Sequence, residues 1–211
     1  MKRVGLGIEA LAPQLTGIGR YTWELCRGLK LADDIDVRFY RFGQWFADSD
    51  HFLGNRRPPR TLVPRFARRL RHRRQFQNRL YHGPNYFVPA HAEQWVVTVH
   101  DLSVFRYPEA HPVERVRQFE KEFERSVQGA AHVIVDSAFV RDELVMFAGI
   151  DPLRVSVVPL GVSPAFHPAA GDTSPQTRST YGNYCLCVAT LEPRKGLDRA
   201  LRAFDLYRQR G

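Results

Sequence analysis

The sequence predicts an α/β protein built on a Rossmann-like, doubly wound parallel sheet. Two observations carry this. Short β-branched runs recur along the chain, several of them apolar at nearly every position, as strands covered on both faces must be. Each is followed by a loop and a stretch of helical spacing, and that alternation builds parallel sheets. With 211 residues and 44% of them hydrophobic, the chain can bury one core and a piece of a second.

Taken in order, residues 4–8 open the sheet and 19–30 return as a helix. Residues 37–40 and 95–100 read as the next strands, and 113–129 has the 3.6-residue spacing of a long helix. Strand 132–136, helix 137–148 and strand 155–159 follow. Residues 163–183 are rich in Pro, Ser, Thr, Gly and Ala, lack periodicity and read as a connection. Beyond it come one strand, 184–189, and one helix, 195–209, which cannot bury a core of their own. The expected organisation is therefore a first domain over 1–165, a linker over 166–183, and over 184–211 the opening βα unit of a second domain. No internal repeat at solenoid spacing is present.

The net charge of +9 implies a polyanionic partner: nucleic acid, an anionic membrane surface or a phosphorylated substrate. Three cysteines cannot all pair. Cys185 and Cys187 would share one face of a strand as buried reduced thiols, which suits an intracellular protein. Glu9 and Pro13 interrupt the weakly apolar start well short of a signal-peptide core, and no uninterrupted apolar run is long enough to span a bilayer. A cytoplasmic location is expected, including the cytoplasmic face of a membrane.

In open parallel sheets ligands bind at the carboxyl ends of strands. Gly17 and Gly19 open the first helix, where free amides and the helix dipole suit an anion, and Arg20 and Tyr21 follow. His82 and Asn85, His100 and Asp101, Asp136 and Ser137, and Gly161 lie at successive strand ends. Each has a plain explanation alone, Ser137 as a helix N-cap and His100 as a satisfied buried histidine. Their coincidence across strands points to one cleft.

The segments GIGRY at 17–21, YHGPN at 81–85, VTVHD at 97–101, VIVDS at 133–137, VVPLG at 157–161 and ATLEPRKG at 189–196 resemble, in wording, order and approximate spacing, family 4 glycosyltransferases. The resemblance covers the whole chain and is mannosyltransferase-like. It implies the N-terminal half of a GT-B fold, with an acceptor-side first domain and a donor-binding second one. It implies a retaining transferase that takes a nucleotide-diphosphate sugar as donor substrate and uses no metal or other cofactor. On that basis Arg194 and Lys195 match the basic pair that holds the donor diphosphate, with the Gly17 and Gly19 amides serving the same phosphates. His100 and Asp101 act at the transferring sugar, while Arg20, Tyr21, His82, Asn85 and Ser137 line the acceptor or sugar cleft. Breaking a sugar–phosphate bond leaves charge on the diphosphate, which without a metal must meet fixed cations and amides. A basic pair at a helix start opposes the helix dipole, which itself favours an anion ligand there.

Two patterns mislead. Residues 5–10 match a dinucleotide fingerprint, but Gly5 and Gly7 fall inside the strand and Pro13 breaks the helix that should follow. Glu114 and Glu122 carry the spacing of the family's donor-site glutamate pair, yet lie in a charged first-domain helix and read as its solvated face. No such pair follows Lys195, so the nucleotide pocket is expected to be missing and the chain to be an incomplete, inactive fragment. From Arg56 to Arg79 there are ten arginines and no acid, with Leu62, Phe66 and Leu70 at i, i+4, i+8 and Phe76 and Leu80 beyond. This reads equally as an element that lies on an anionic membrane surface and as a solvated connection. Nucleic acid is disfavoured for want of a recognised module or aromatic platform.

The expected function is transfer of a hexose, mannose or a deoxyhexose carried on GDP, to a glycan or lipid-linked acceptor in polysaccharide assembly. A stand-alone domain that binds acceptor glycan or a partner protein, and a GT-B nucleotide-sugar epimerase, are the alternatives.

Overall fold

The computed structural model describes residues 1–53, 74–164, 166, 167, 182 and 184–210. The chain divides into two units, residues 1–102 with 117–160, and residues 103–116 with 161–211.

The first unit is organised by a seven-stranded sheet. Its strands are β1 (Lys2–Gly7), β2 (Ile35–Arg41), β3 (Gln44–Phe46), β4 (Leu80–Gly83), β5 (Gln94–Val99), β6 (His132–Val135) and β7 (Val155–Val157). They lie in the order β3-β2-β1-β4-β5-β6-β7. All pairings are parallel except β2 with β3. The expected parallel sheet is present, with β3 and β4 as strands that apolar patterning did not mark. The chain leaves β1 toward β2 and returns to the other side of β1 as β4. That reversal opens a crevice at the carboxyl ends of β1 and β4.

Helix α1 (Gly17–Leu31) is started by Thr16, whose hydroxyl accepts from the Gly19 amide, and it buries Gly19, Thr22 and Cys26. These lie against a core of Leu6, Ile8, Leu11, Phe39 and Phe52, where burial pushes the Cys26 thiol up to about 11. Helix α2 (Val113–Gln128) buries Phe119 and Phe123 at i, i+4, with rings stacked 4.4 Å apart. Tyr86 meets both rings edge-on, at 5.1 and 5.7 Å. Helix α3 (Ala138–Ala148) is capped by Ser137 and ends on Gly149 in the left-handed region. No helix among the described residues is long and apolar enough to cross a membrane.

In the second unit α4 (Leu197–Arg210) forms as expected. The strand expected over 184–189 does not form, and Leu186 and Val188 are exposed. A strand needs a neighbour for its backbone groups, and all seven strands among the described residues belong to the first unit's sheet. Cys185 and Cys187 are consequently exposed, and only Cys26 is a buried thiol.

Eight of the ten arginines between 56 and 79 fall outside the described residues, as does most of the 166–183 linker. The tail of the arginine segment is not a surface stripe. Phe76 is fully buried, with its ring 4.9–5.8 Å from those of Trp45, Tyr40 and Tyr81. Leu80 begins β4, and Arg79 donates to the carbonyls of Val4 and Asp36 and to the Asp36 carboxylate.

Gly83 ends β4 where the chain doubles back, and a Cβ there would lie 2.5 Å from the Phe87 carbonyl oxygen. Because the obstacle is backbone, Gly83→Ala should destabilise by about 1–3 kcal/mol. Urea denaturation checks this, and an unchanged midpoint would contradict the packing.

Candidate functional site

The register of the sheet assembles the site. Val99 of β5 is paired with Val135 of β6, so the next residues, His100 and Asp136, emerge side by side at the carboxyl edge. His100 Nδ1 lies 2.7 Å from Asp136 Oδ2, and its Nε2 lies 2.9 Å from the Pro84 carbonyl oxygen. A carbonyl only accepts, so Nε2 donates to it, and the Nδ1–Oδ2 contact needs a proton of its own. The ring is thereby fixed at both nitrogens. Tyr21 packs edge-on against it, with ring centroids 4.8 Å apart.

Beneath this pair lies a buried polar layer. Thr98 is fully buried, and its hydroxyl meets Tyr21 Oη and His82 Nε2, each at 2.9 Å. Burial, helped by the nearby His100, drives His82 down to about 4, so its imidazole is neutral at physiological pH. Burial also raises the Tyr21 phenol, with the Asp136 charge adding to it against the Thr98 hydrogen bond.

Beside Pro84 the crevice between β1 and β4 opens into a cleft of about 460 Å³. Glu9, Tyr40, Tyr81, Asn85, Phe87 and Glu122 are among its walls. Glu9 keeps exposed surface at the cleft, yet the atoms packed round it raise its carboxyl, against the pull of the Glu9 and Phe42 amides and of Arg41. Two buried oxygens, Asn85 Oδ1 and Asp136 Oδ1, have no hydrogen-bond partner among the described residues. Buried acceptors are normally satisfied, so each marks where a ligand hydroxyl or amide can donate. No group of His, Cys, Asp and Glu among the described residues could hold a metal ion.

The sequence-derived candidates sort as follows. His100, Tyr21, His82 and Asn85 come together at the strand ends, with His82 buried one layer below. His100 meets Asp136 rather than Asp101, which is exposed. Gly19 is not an open amide, since Thr16 takes its N–H and the Thr16 carbonyl takes that of Arg20. Glycine is needed there because a Cβ would lie 2.9 Å from the Ala10 carbonyl oxygen. Gly17 borders open space and, with Ile18, is what that helix start can offer an anion. Arg20 is exposed and pairs with Glu24, while Ser137 serves as the α3 cap. Glu122, expected on a solvated face, is half-buried and lines the cleft.

In the second unit, Arg194 and Lys195 lie in the turn Pro193–Lys195 and not in the helix as expected. Gly196, in the left-handed region, separates them from α4, whose first turn carries Asp198. The pair therefore does not sit in the first turn of α4 against its dipole. Thr98 and Glu9 were missing from the sequence-derived set, and Asp136, noted there at a strand end, was given no role. The signal for Asp136 was its place directly after a strand, at the level of His100.

The family model for Glycosyltransferase Family 4 matches residues 15–166. The chain is 32% identical over 224 residues to an Escherichia coli protein named O-antigen chain mannosyltransferase B, an alignment covering 94% of this chain and 58% of that relative. The chain thus spans little more than half the length of the relative it matches.

The neutral His82 gives stability a defined pH dependence. Unfolded, it would take a proton near 6.5, but in the fold only near 4, so protons favour unfolding between those values. Its contribution is fully present above pH 6.5 and is lost as pH falls through about 4, a total of about 3 kcal/mol. Urea denaturation at pH 7 and pH 4 should show the parent losing about that much more than His82→Gln. Equal losses would contradict a buried neutral imidazole.

Proposed function

This chain belongs to glycosyltransferase family 4, and from that we propose that it forms the acceptor side of an enzyme that moves a hexose, mannose by the relative's name, from a nucleotide-diphosphate sugar onto a growing glycan or lipid-linked acceptor. In such a transfer the anomeric carbon–oxygen bond to the diphosphate breaks, and its electron pair leaves with the nucleotide. An acceptor hydroxyl oxygen bonds to the same carbon and gives up its proton to the departing phosphate oxygen. The transfer retains anomeric configuration and relies on side chains and amides where other enzymes use a metal.

The observation that carries this reading is the pair of unpartnered acceptors, Asn85 Oδ1 and Asp136 Oδ1, at the ligand end of the sheet. Sugar hydroxyls are the donors such oxygens want, and the aromatic walls of the cleft suit the apolar face of a sugar ring. His100, immobilised between Asp136 and Pro84, provides a fixed polar wall beside the reacting carbon. Tyr21 sets the ring's angle, and Asp136 keeps one oxygen for the acceptor. Asp101, exposed directly after β5, remains a candidate. Arg194 and Lys195, by the family resemblance, supply the cations for the donor diphosphate. A worksite at the cytoplasmic membrane face, reached through the arginines of 56–79, fits a lipid-linked acceptor.

Calorimetry separates the two substrates. A mannose-terminated oligosaccharide should bind the 211-residue chain, and Asn85→Ala should weaken it about tenfold. GDP and UDP sugars should not bind appreciably, since the base and ribose contacts are expected outside these residues. Micromolar nucleotide-sugar binding, or no glycan binding, would contradict the assignment.

A further inference from the structure

A second pocket lies away from the carboxyl-end cleft and has the opposite hydrogen-bonding character. It has a volume of about 210 Å³ and is lined by Arg3, Arg38, Trp45, Arg74, Gln75, Gln77 and Arg79. The residues come from the start of β1, the middle of β2, β3 and the turn into β4. Register places them together: Gly5 is paired with Arg38 on one side and Tyr81 on the other, and Arg3 lies two residues before Gly5 on the same face. Trp45 and Arg79 fill the space over Gly5, where a Cβ would lie 2.6 Å from the indole and 3.2 Å from Arg79 Cδ.

The charge in this pocket is unbalanced. Asp36 is the acid at hand, and it is spent on Arg79, which also holds two backbone carbonyls. Arg3, Arg38 and Arg74 make no ion pair among the described residues. The indole Nε1 of Trp45 is buried without a partner among the described residues. Guanidinium and indole N–H groups donate and cannot accept, so the pocket asks for a ligand made of acceptors and carrying negative charge. Three guanidiniums offer more donors than the two oxygens of a carboxylate can use, whereas a phosphate presents acceptors on all sides.

We propose that this pocket binds a phosphate group, either free or on a lipid headgroup. Occupancy would satisfy Trp45 Nε1 and neutralise Arg3, Arg38 and Arg74 together. The site is independent of the acceptor cleft.

The test is an NMR titration of the ¹⁵N-labelled chain with inorganic phosphate at constant ionic strength, reading the Trp45 indole N–H assigned through Trp45→Phe. In parallel, the chain is sedimented with phosphatidylcholine vesicles with and without phosphatidylglycerol. The triple variant Arg3→Gln, Arg38→Gln, Arg74→Gln is compared in both, with Arg38→Gln alone as a milder change and circular dichroism as the check on folding. A saturable Trp45 shift with phosphate, weakened about tenfold or more in the folded variants, supports the site and a free phosphate source. Sedimentation that needs phosphatidylglycerol and is lost in those variants supports it with a headgroup source. A Trp45 shift reproduced by chloride and vesicle binding unchanged in both variants would overturn the proposal, as would no response to either probe.

Discussion

The hydroxyl of Thr98 is the point on which the candidate site depends. It is fully buried on β5 and joins the phenol of Tyr21, from α1, to the imidazole of His82, from β4. Burying three polar groups is tolerable only when they satisfy one another, since an unpaired one costs on the order of 1–3 kcal/mol. The consequences reach outward. Tyr21 is held where its ring meets His100, His82 is kept neutral, and α1 is tied to the strands whose ends form the crevice. The chemistry at the strand ends rests on this polar layer beneath it.

The sheet order gives the first unit two regions of contrasting character. At the carboxyl ends, the reversal between β1 and β4 opens a cleft lined by the unpartnered Asn85 Oδ1 and the carboxyl groups of Glu9 and Glu122, suited to hydroxyl donors. Around Arg3 and Arg38 the surface carries unmatched guanidiniums and an unpartnered indole N–H, suited to an anion. Glycines permit both. Gly7 leaves room for the Tyr81 hydroxyl, which a Cβ would meet at 2.5 Å, and Gly5 leaves room for Trp45. The glycines that imitate a dinucleotide fingerprint thus serve packing on β1.

Sequence patterning revealed the elements whose signal is local. The apolar runs of β1, β5 and β6 and the periodic helices α1, α2 and α3 fell where expected, within a few residues. It missed β3, a three-residue antiparallel edge, and β4, whose LYHG run has neither alternation nor an apolar stretch. It placed a strand at 184–189, where composition favours one but no strand among the described residues pairs with it. Among site residues, His100 was legible because it ends an apolar strand. Its partner was not, because Asp101 is adjacent in sequence while Asp136 is adjacent only through the register of β5 and β6. Gly19 is not an open amide, and the signal for this is local: Thr16, three residues before it at the helix start, is a capping residue that uses that N–H.

The central claim is that Tyr21, Thr98 and the groups they hold act as one unit. A double-mutant cycle of Tyr21→Phe and Thr98→Val, read by urea denaturation and by affinity for a mannose-terminated oligosaccharide, tests it most directly. Each change removes one hydroxyl with little loss of shape. The account predicts a coupling of at least about 0.5–1 kcal/mol in stability, with glycan affinity falling no further in the double variant than in the worse single one. Additivity within about 0.3 kcal/mol in both measurements would contradict it.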